Sequence, residues 1–240
     1  MVPGDFRILS FDCYGTLIDW ETGIWNALQP LFRANGTNVP REQALAGFGA
    51  IEPVVEHEHP SLLYRDLLAR THAAMATHWS MTSSTELNAG FGNSIPDWPV
   101  FPDTIRALAT LKTHANLVIL SNVDRQSFAA TNVKLGVTFD AICTAEDIGS
   151  YKPDQRNFQY LLETIQRLGF RKSELLHVAQ SLFHDIAPAE GLGIHRCWIN
   201  RRNDTATGSG ATKAVRHMPS FDFTFPSLGE LAEEFQAARP

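Results

Sequence analysis

The side chains best equipped for chemistry in this sequence stand where apolar runs end. Asp12 follows "FRILSF" (6–11) and precedes Tyr14, Gly15 and Thr16, while Ser121 closes the run "NLVILS" (116–121) with Asn122 directly after it. Lys152 lies in "AEDIGSYKPD", and Ser181 and Asp185 follow "LLHVAQ" (175–180) within "HVAQSLFHDIAPA". A carboxylate, hydroxyls, an ammonium and a second carboxylate could build a nucleophilic site in which the ammonium keeps the attacking acid ionised. Taken singly, each has a plainer reading: Asp12 and the Ser121–Asn122 pair as turn residues, Lys152 as a solvated loop lysine.

The elements around them decide between these readings. The runs 6–11, 116–121, 140–145, 175–180 and 195–200 are short and rich in Val, Ile, Leu and Phe, as strands buried on both faces are. Amphipathic stretches alternate with them, among them 103–114, with Asp103 near its start, and 156–169, closing on Gly169. Strand alternating with helix predicts an α/β fold, a Rossmann-like, doubly wound parallel sheet. In such sheets ligands bind beyond the carboxyl ends of the strands, where Asp12 lies.

Residues 18–98 break the alternation, with helical patterns and no convincing strand. Ile24, Leu28, Leu31 and Phe32 share a face that stops at Gly36, and the run 60–79 opens on Pro60 at a first turn. The three prolines of "NSIPDWPVFPDT" (93–104) mark a hinge back to the sheet. The expected organisation is a core of residues 1–17 and 99–240 with a helical cap at 18–98. Residues 201–214, polar and rich in Gly and Thr, read as a mobile surface loop, with a last strand and a helix capped by Ser227 after it.

The 240 residues carry a net charge of −6, which offers no general attraction for nucleic acid or anionic membranes. A small anionic substrate remains compatible with a local basic pocket. Cys13, Cys143 and Cys197 form no CxxC pair and sit in or beside apolar runs, so they read as buried thiols. No leader-like start and no membrane-length apolar run is seen, so a cytoplasmic protein is expected.

In this order and spacing, Asp12, Ser121, Lys152 and Asp185 resemble the haloacid dehalogenase superfamily over nearly the whole chain, cap position included. The resemblance implies Asp12 as nucleophile, Lys152 holding it charged, and Ser121 and Thr16 orienting its oxygens or the substrate's. It also implies that Asp185, with Ser181, anchors Lys152 and helps to activate the hydrolytic water.

Two branches of that superfamily need different residues. Its phosphatases place a second Asp two residues after the nucleophile, as general acid, and an acidic pair in the last motif to complete a magnesium site. Here those places hold Tyr14 and Gln180, and a phenol with a pKa of about 10 is a poor proton donor. "DCYGT" instead resembles the metal-free 2-haloacid dehalogenases. They imply attack by Asp12 on C2 of a 2-haloalkanoate, loss of halide, and hydrolysis of the ester to a 2-hydroxyacid. Asn122 would donate to the halide or ester oxygen, and Tyr14 with Phe183 would wall an apolar pocket. No cofactor is then expected, whereas the phosphatase alternative needs magnesium.

The chain also departs from that pattern. The cap arginine that grips the substrate carboxylate has no counterpart in the expected helix 44–59, leaving Arg41 and Arg65 as substitutes. Phe158 stands where a tyrosine is common. His184 is new to the fourth motif, either a helix-surface residue or an extra proton donor or base. Glu52, His57 and His59 are expected to be solvated, because histidines two apart do not share a helix face. A catalytically silent binding protein is a further alternative, and a homodimer is left open.

Overall fold

The computed structural model describes residues 1–203 and 210–238. Its centre is a sheet of six parallel strands: β1 (Ile8–Phe11), β2 (Asn116–Ser121), β3 (Ala141–Thr144), β4 (Leu175–Ala179), β5 (His195–Ile199) and β6 (Phe223–Phe225). Their order is β3-β2-β1-β4-β5-β6, each neighbour parallel, so the chain winds outward from β1 in both directions. The reversal lies between β1 and β4, where a crevice opens at the carboxyl ends.

Burial reflects this arrangement. β1 and β4 are buried at every position, and β2 at all but its first, as expected where helices cover both faces. Leu9, Phe11, Leu117, Ile119, Leu176 and Val178 face one core, which continues into the helices between β1 and β2. Ile8, Val118, Leu120 and Leu175 face a second, with Phe158, Leu161 and Ile165. All three cysteines are buried free thiols.

Four α-helices occupy residues 18–98: α1 (Trp20–Ala34), α2 (Arg41–Glu58), α3 (Tyr64–His78) and α4 (Thr85–Gly92). The expected face of α1 (Ile24, Leu28, Leu31, Phe32) is buried, and Asp19 caps the helix by accepting from the Thr22 amide. α2 begins at Arg41, three residues before the expected start, and continues through Pro53. α3 begins at Tyr64, so Pro60 lies outside it. The two chain crossings lie side by side, with Ile18 bridging Val100 antiparallel and the Asp19 amide donating to Pro99 O at 2.8 Å.

The remaining helices are α5 (Thr104–Lys112), α6 (Arg125–Leu135), α7 (Ala145–Ile148), α8 (Gln155–Arg167), α9 (Ala187–Gly191) and α10 (Leu228–Ala237). A π-helical turn, Leu182–Ile186, joins β4 to α9. Ser227 caps α10 as expected. Asp103 instead binds Arg201, whose Nη1 donates to both of its oxygens at 2.7 and 2.8 Å.

The described part of 201–214 is no free surface loop. Ala211 and Thr212 are buried, and the Ala211 amide donates to Glu21 Oε1 at 2.9 Å. Arg202 binds Glu21 of α1 and Glu42 of α2, and a Cβ on Gly49 of α2 would meet Ala211 O at 2.7 Å. The segment ties the chain after β5 to α1 and α2, while 204–209 lie outside the described residues.

Candidate active site

Register brings the motif residues together. Phe11 pairs with Ile119 and Val178, so the chain beyond it meets Ser121 on one side and Gln180 on the other. Asp12 keeps the ladder by donating its amide to Val178 O at 3.1 Å. Gly15, at φ +98°, lets the chain turn tightly, so that the Leu17 and Ile18 amides both reach Cys13 O. That turn returns Thr16 to Asp12, where its hydroxyl donates to Oδ2 at 2.7 Å and accepts from the Gln180 amide at 2.9 Å.

Lys152, 1 % exposed, uses all three of its protons: to Asp12 Oδ1 at 2.9 Å, Asp185 Oδ1 at 2.7 Å and Leu120 O at 3.1 Å. Asp185 Oδ1 also meets His177 Nε2 at 3.0 Å, and His177 Nδ1 meets Ser10 Oγ at 2.8 Å. One buried network thus runs from Ser10 to Thr16 through the ammonium.

Burial alone would lower the Lys152 pKa, but Asp12 and Asp185 overcome it and hold the ammonium at about 12. Burial pulls Asp185 upward, yet Lys152 and His177 keep it below the ordinary carboxylate range. For Asp12 burial prevails and raises the pKa, with Lys152 and Thr16 opposing it and Asp185 adding to it. The result is a carboxylate stripped of water beside a fixed positive charge.

The other expected residues divide. Ser121 is fully buried at the cavity, but its hydroxyl has no protein partner and does not orient Asp12. Tyr14 lines the cavity with its ring edge-on to Trp98, and its hydroxyl turns away to Thr131 Oγ1 at 2.8 Å. Asn122 Oδ1 accepts from the Lys152 amide at 2.7 Å, and its Nδ2 reaches Lys152 O at 3.1 Å and Glu56 Oε1 at 3.3 Å. Ser181 does not reach Lys152; it caps the π-turn, accepting from the His184 amide at 3.0 Å. Phe183 does not wall the cavity over Asp12 with Tyr14. It lines the adjoining groove, under Lys213 Nζ at 4.6 Å. Phe158 packs edge-on against His177 in the core.

Neither expected arginine enters the cavity. Arg41 binds Thr22 Oγ1, and Arg65 pairs with Asp124 and Gln126. Helices α1–α3 contribute Trp20, Tyr64 and an acid instead. Glu52 is 4 % exposed, not solvated, because α2 turns its Phe48–Glu52–Glu56 stripe inward. His57 is exposed as expected, and His59 is half-buried.

Glu56, 7 % exposed, lies beside Glu52, and His184 Nε2 faces it at 3.8 Å. One ligand atom from each of Glu52, Glu56 and His184 lies within 4.8 Å of the others. Two charged carboxylates at that spacing would repel by about 3 kcal/mol at an effective dielectric of about 20, before desolvation is counted. Burial pushes Glu52 up to about 7 and raises Glu56 well above the ordinary range, with Glu52 adding to the latter. It also drives His184 down to about 4, so the imidazole is neutral at pH 7.

The sequence reading missed His177, Glu56, Tyr64 and Thr212. A histidine within an otherwise apolar central strand was a visible signal for His177. Glu56, four residues after Glu52, was visible as the continuation of an apolar stripe.

Magnesium as the phosphatase alternative would use it does not fit. Asp12 has both oxygens engaged, Tyr14 binds Thr131, and Gln180 Oε1 accepts from Thr212 at 3.2 Å. Asp185 Oδ2 and Ser121 Oγ remain, short of the several oxygens an octahedral ion requires.

A family described as haloacid dehalogenase-like hydrolase matches residues 6–193. The (S)-2-haloacid dehalogenase of Pseudomonas fluorescens is 27 % identical over 201 residues, covering 80 % of this chain and 84 % of the relative. The fold matches the L-2-haloacid dehalogenase of Xanthobacter autotrophicus with a TM-score of 0.77 at 18 % identity, covering 95 % and 97 % of the two chains. It also matches the magnesium-bound HAD hydrolase YfnB of Bacillus subtilis with a TM-score of 0.76 at 18 % identity, covering 96 % and 99 %.

Proposed function

The chain belongs to the haloacid dehalogenase-like hydrolases, and from that we propose that it removes halide from C2 of a small 2-haloalkanoic acid, with Asp12 as nucleophile. The carrying observation is the setting of Asp12: a buried carboxylate fixed by Lys152 and Thr16 at the floor of a cavity where the nearby phenol of Tyr14 is turned away. This supports displacement of a leaving group that needs no proton. The similarity to named haloacid dehalogenases supports the substrate.

In the first step an Asp12 oxygen attacks C2 from behind, the carbon–halogen bond breaks, and halide leaves with the bonding electrons. Lys152 fixes the attacking group, which limits the entropy lost in reaching the reactive geometry. In the second step water adds to the Asp12 ester carbonyl. The ester C–O bond breaks, the 2-hydroxyacid takes a proton from the water, and Asp12 is regenerated with one oxygen from water. The free Asp185 Oδ2 and the neutral His184 ring are the acceptors within the cavity for the water's other proton. Ser121, whose hydroxyl has no protein partner, is the donor for the halide or ester oxygen, whereas both Asn122 Nδ2 protons are held by Lys152 O and Glu56.

The cavity measures about 40 Å³, which suits a short carbon chain. With this reading goes a division into a core, residues 1–17 and 99–240, and a cap, 18–98, supported by the paired crossings at Ile18 and Val100. Single turnover in 18O-labelled water tests it. Label should appear in Asp12 and not in the first product released; label directly in that product would exclude the ester.

A further inference from the structure

Glu52 lines the cavity over Asp12, Glu56 lies beside it at the adjoining groove, and neither forms an ion pair with a lysine or arginine. The Tyr64 hydroxyl donates to Glu52 Oε1 at 3.0 Å, and Asn122 donates to Glu56 Oε1 at 3.3 Å, so in each acid a second oxygen is left over. Lys152 has its protons committed to Asp12, Asp185 and Leu120 O. His184 approaches Glu56 with a buried Nε2 that makes no hydrogen bond. Lys152 and Lys213 at the groove mouth pull Glu56 down without outweighing burial, the phenol of Tyr151 lies near the pair, and Asp12 and Asp185 line the same cavity as Glu52. Ser121 Oγ, fully buried and unpartnered, lines the same cavity and marks a place for a polar ligand.

Two buried carboxyls this close, with no partner cation, carry at least one proton between them. A buried carboxylic acid kept neutral is a hydrogen-bond donor, and its bond to a carboxylate is charge-assisted. We propose that Glu52 and Glu56 bind the substrate as a proton-bearing acid pair, donating a hydrogen bond to the carboxylate of a small organic acid whose reacting carbon lies against Asp12. This rests on Asp12 being the nucleophile, and it identifies what grips the carboxylate in a cavity with no arginine. The cavity gains one negative charge when the anion binds, and the proton on the pair is what makes that tolerable. Binding therefore needs a proton that the pair gives up as the solution becomes alkaline.

The test is calorimetric binding of 2-hydroxypropanoate to the intact chain between pH 5.5 and 9. Affinity should fall about tenfold per pH unit at the alkaline end, with proton uptake on binding. The double variant Glu52→Gln/Glu56→Gln, whose amides still donate, should hold affinity within about fivefold at pH 6 and lose the pH slope. The double leucine variant should bind at least about thirtyfold more weakly. Affinity independent of pH, or a glutamine variant as weak as the leucine one, would overturn the proposal. So would tight binding of zinc alone that the glutamine variant abolishes, since the pair would then be a cation site. Asp12 labelling without pH-linked binding removes only this proposal, and pH-linked binding without labelling removes only the ester mechanism.

Discussion

Around the cavity and its adjoining groove the protein buries two pairs of carboxyl groups in different electrostatic settings. Asp12 and Asp185 share a lysine ammonium, and Asp185 is held down as an ion. Glu52 and Glu56 share no cation, and both are pushed up towards the neutral form. Burial is equally deep in both, so the difference comes from Lys152 and not from solvent exposure. One placed charge holds Asp185 down and opposes the upward pull of burial on Asp12, and Glu52 has no such neighbour.

The largest test of this contrast is Asp12→Asn, which should cut turnover by on the order of 10⁴-fold or more, read as single-turnover rate, while the chain stays folded. Lys152→Met makes the core pair resemble the cap pair. With two buried carboxylates left uncompensated, it should cost about 3–5 kcal/mol in denaturant unfolding at pH 7 and remove activity as well.

The pH dependence of stability should separate the pairs. Asp185, held below its unfolded value, contributes stability above the ordinary carboxylate range and loses it as pH falls through its depressed pKa. Glu52, raised from 4.5 to about 7, does the reverse: its contribution is full below 4.5 and is lost as pH rises through about 7. Glu52→Gln should therefore gain up to about 3 kcal/mol over the parent at pH 8 and nothing at pH 4. An equal gain at both values would mean that Glu52 does not titrate in this window. The smallest effect expected is that of Gly49→Ala, where the added Cβ presses on Ala211 O and should cost about 1–3 kcal/mol.

The core half of this contrast was legible and the cap half was not. Short apolar runs gave five strands within a residue or two, because a central parallel strand tolerates little else, and each catalytic candidate came after such a run. The cap carries its signal in helix faces. There Glu52 and Glu56 continue an apolar stripe, but Glu52 was expected to be solvated with His57 and His59, and Glu56 gave no separate signal because acids on an amphipathic helix ordinarily mark its wet side. The inward turn of that face is set by tertiary packing, including the strap at Ala211 and Thr212, which composition made look like open loop. Ser181 was misassigned for a different reason: it opens a π-turn, whose extra residue redirects the hydroxyl to the His184 amide.

The strap bears on traffic. Swinging the cap away would break the bonds from Arg202 to Glu21 and Glu42 and from Ala211 to Glu21, and would separate α2 from the chain at Gly49. The groove of about 450 Å³ beside it, lined by Lys152, Phe183 and Lys213, needs no such rupture. An anion passing through that groove would meet Lys213 and break none of these bonds.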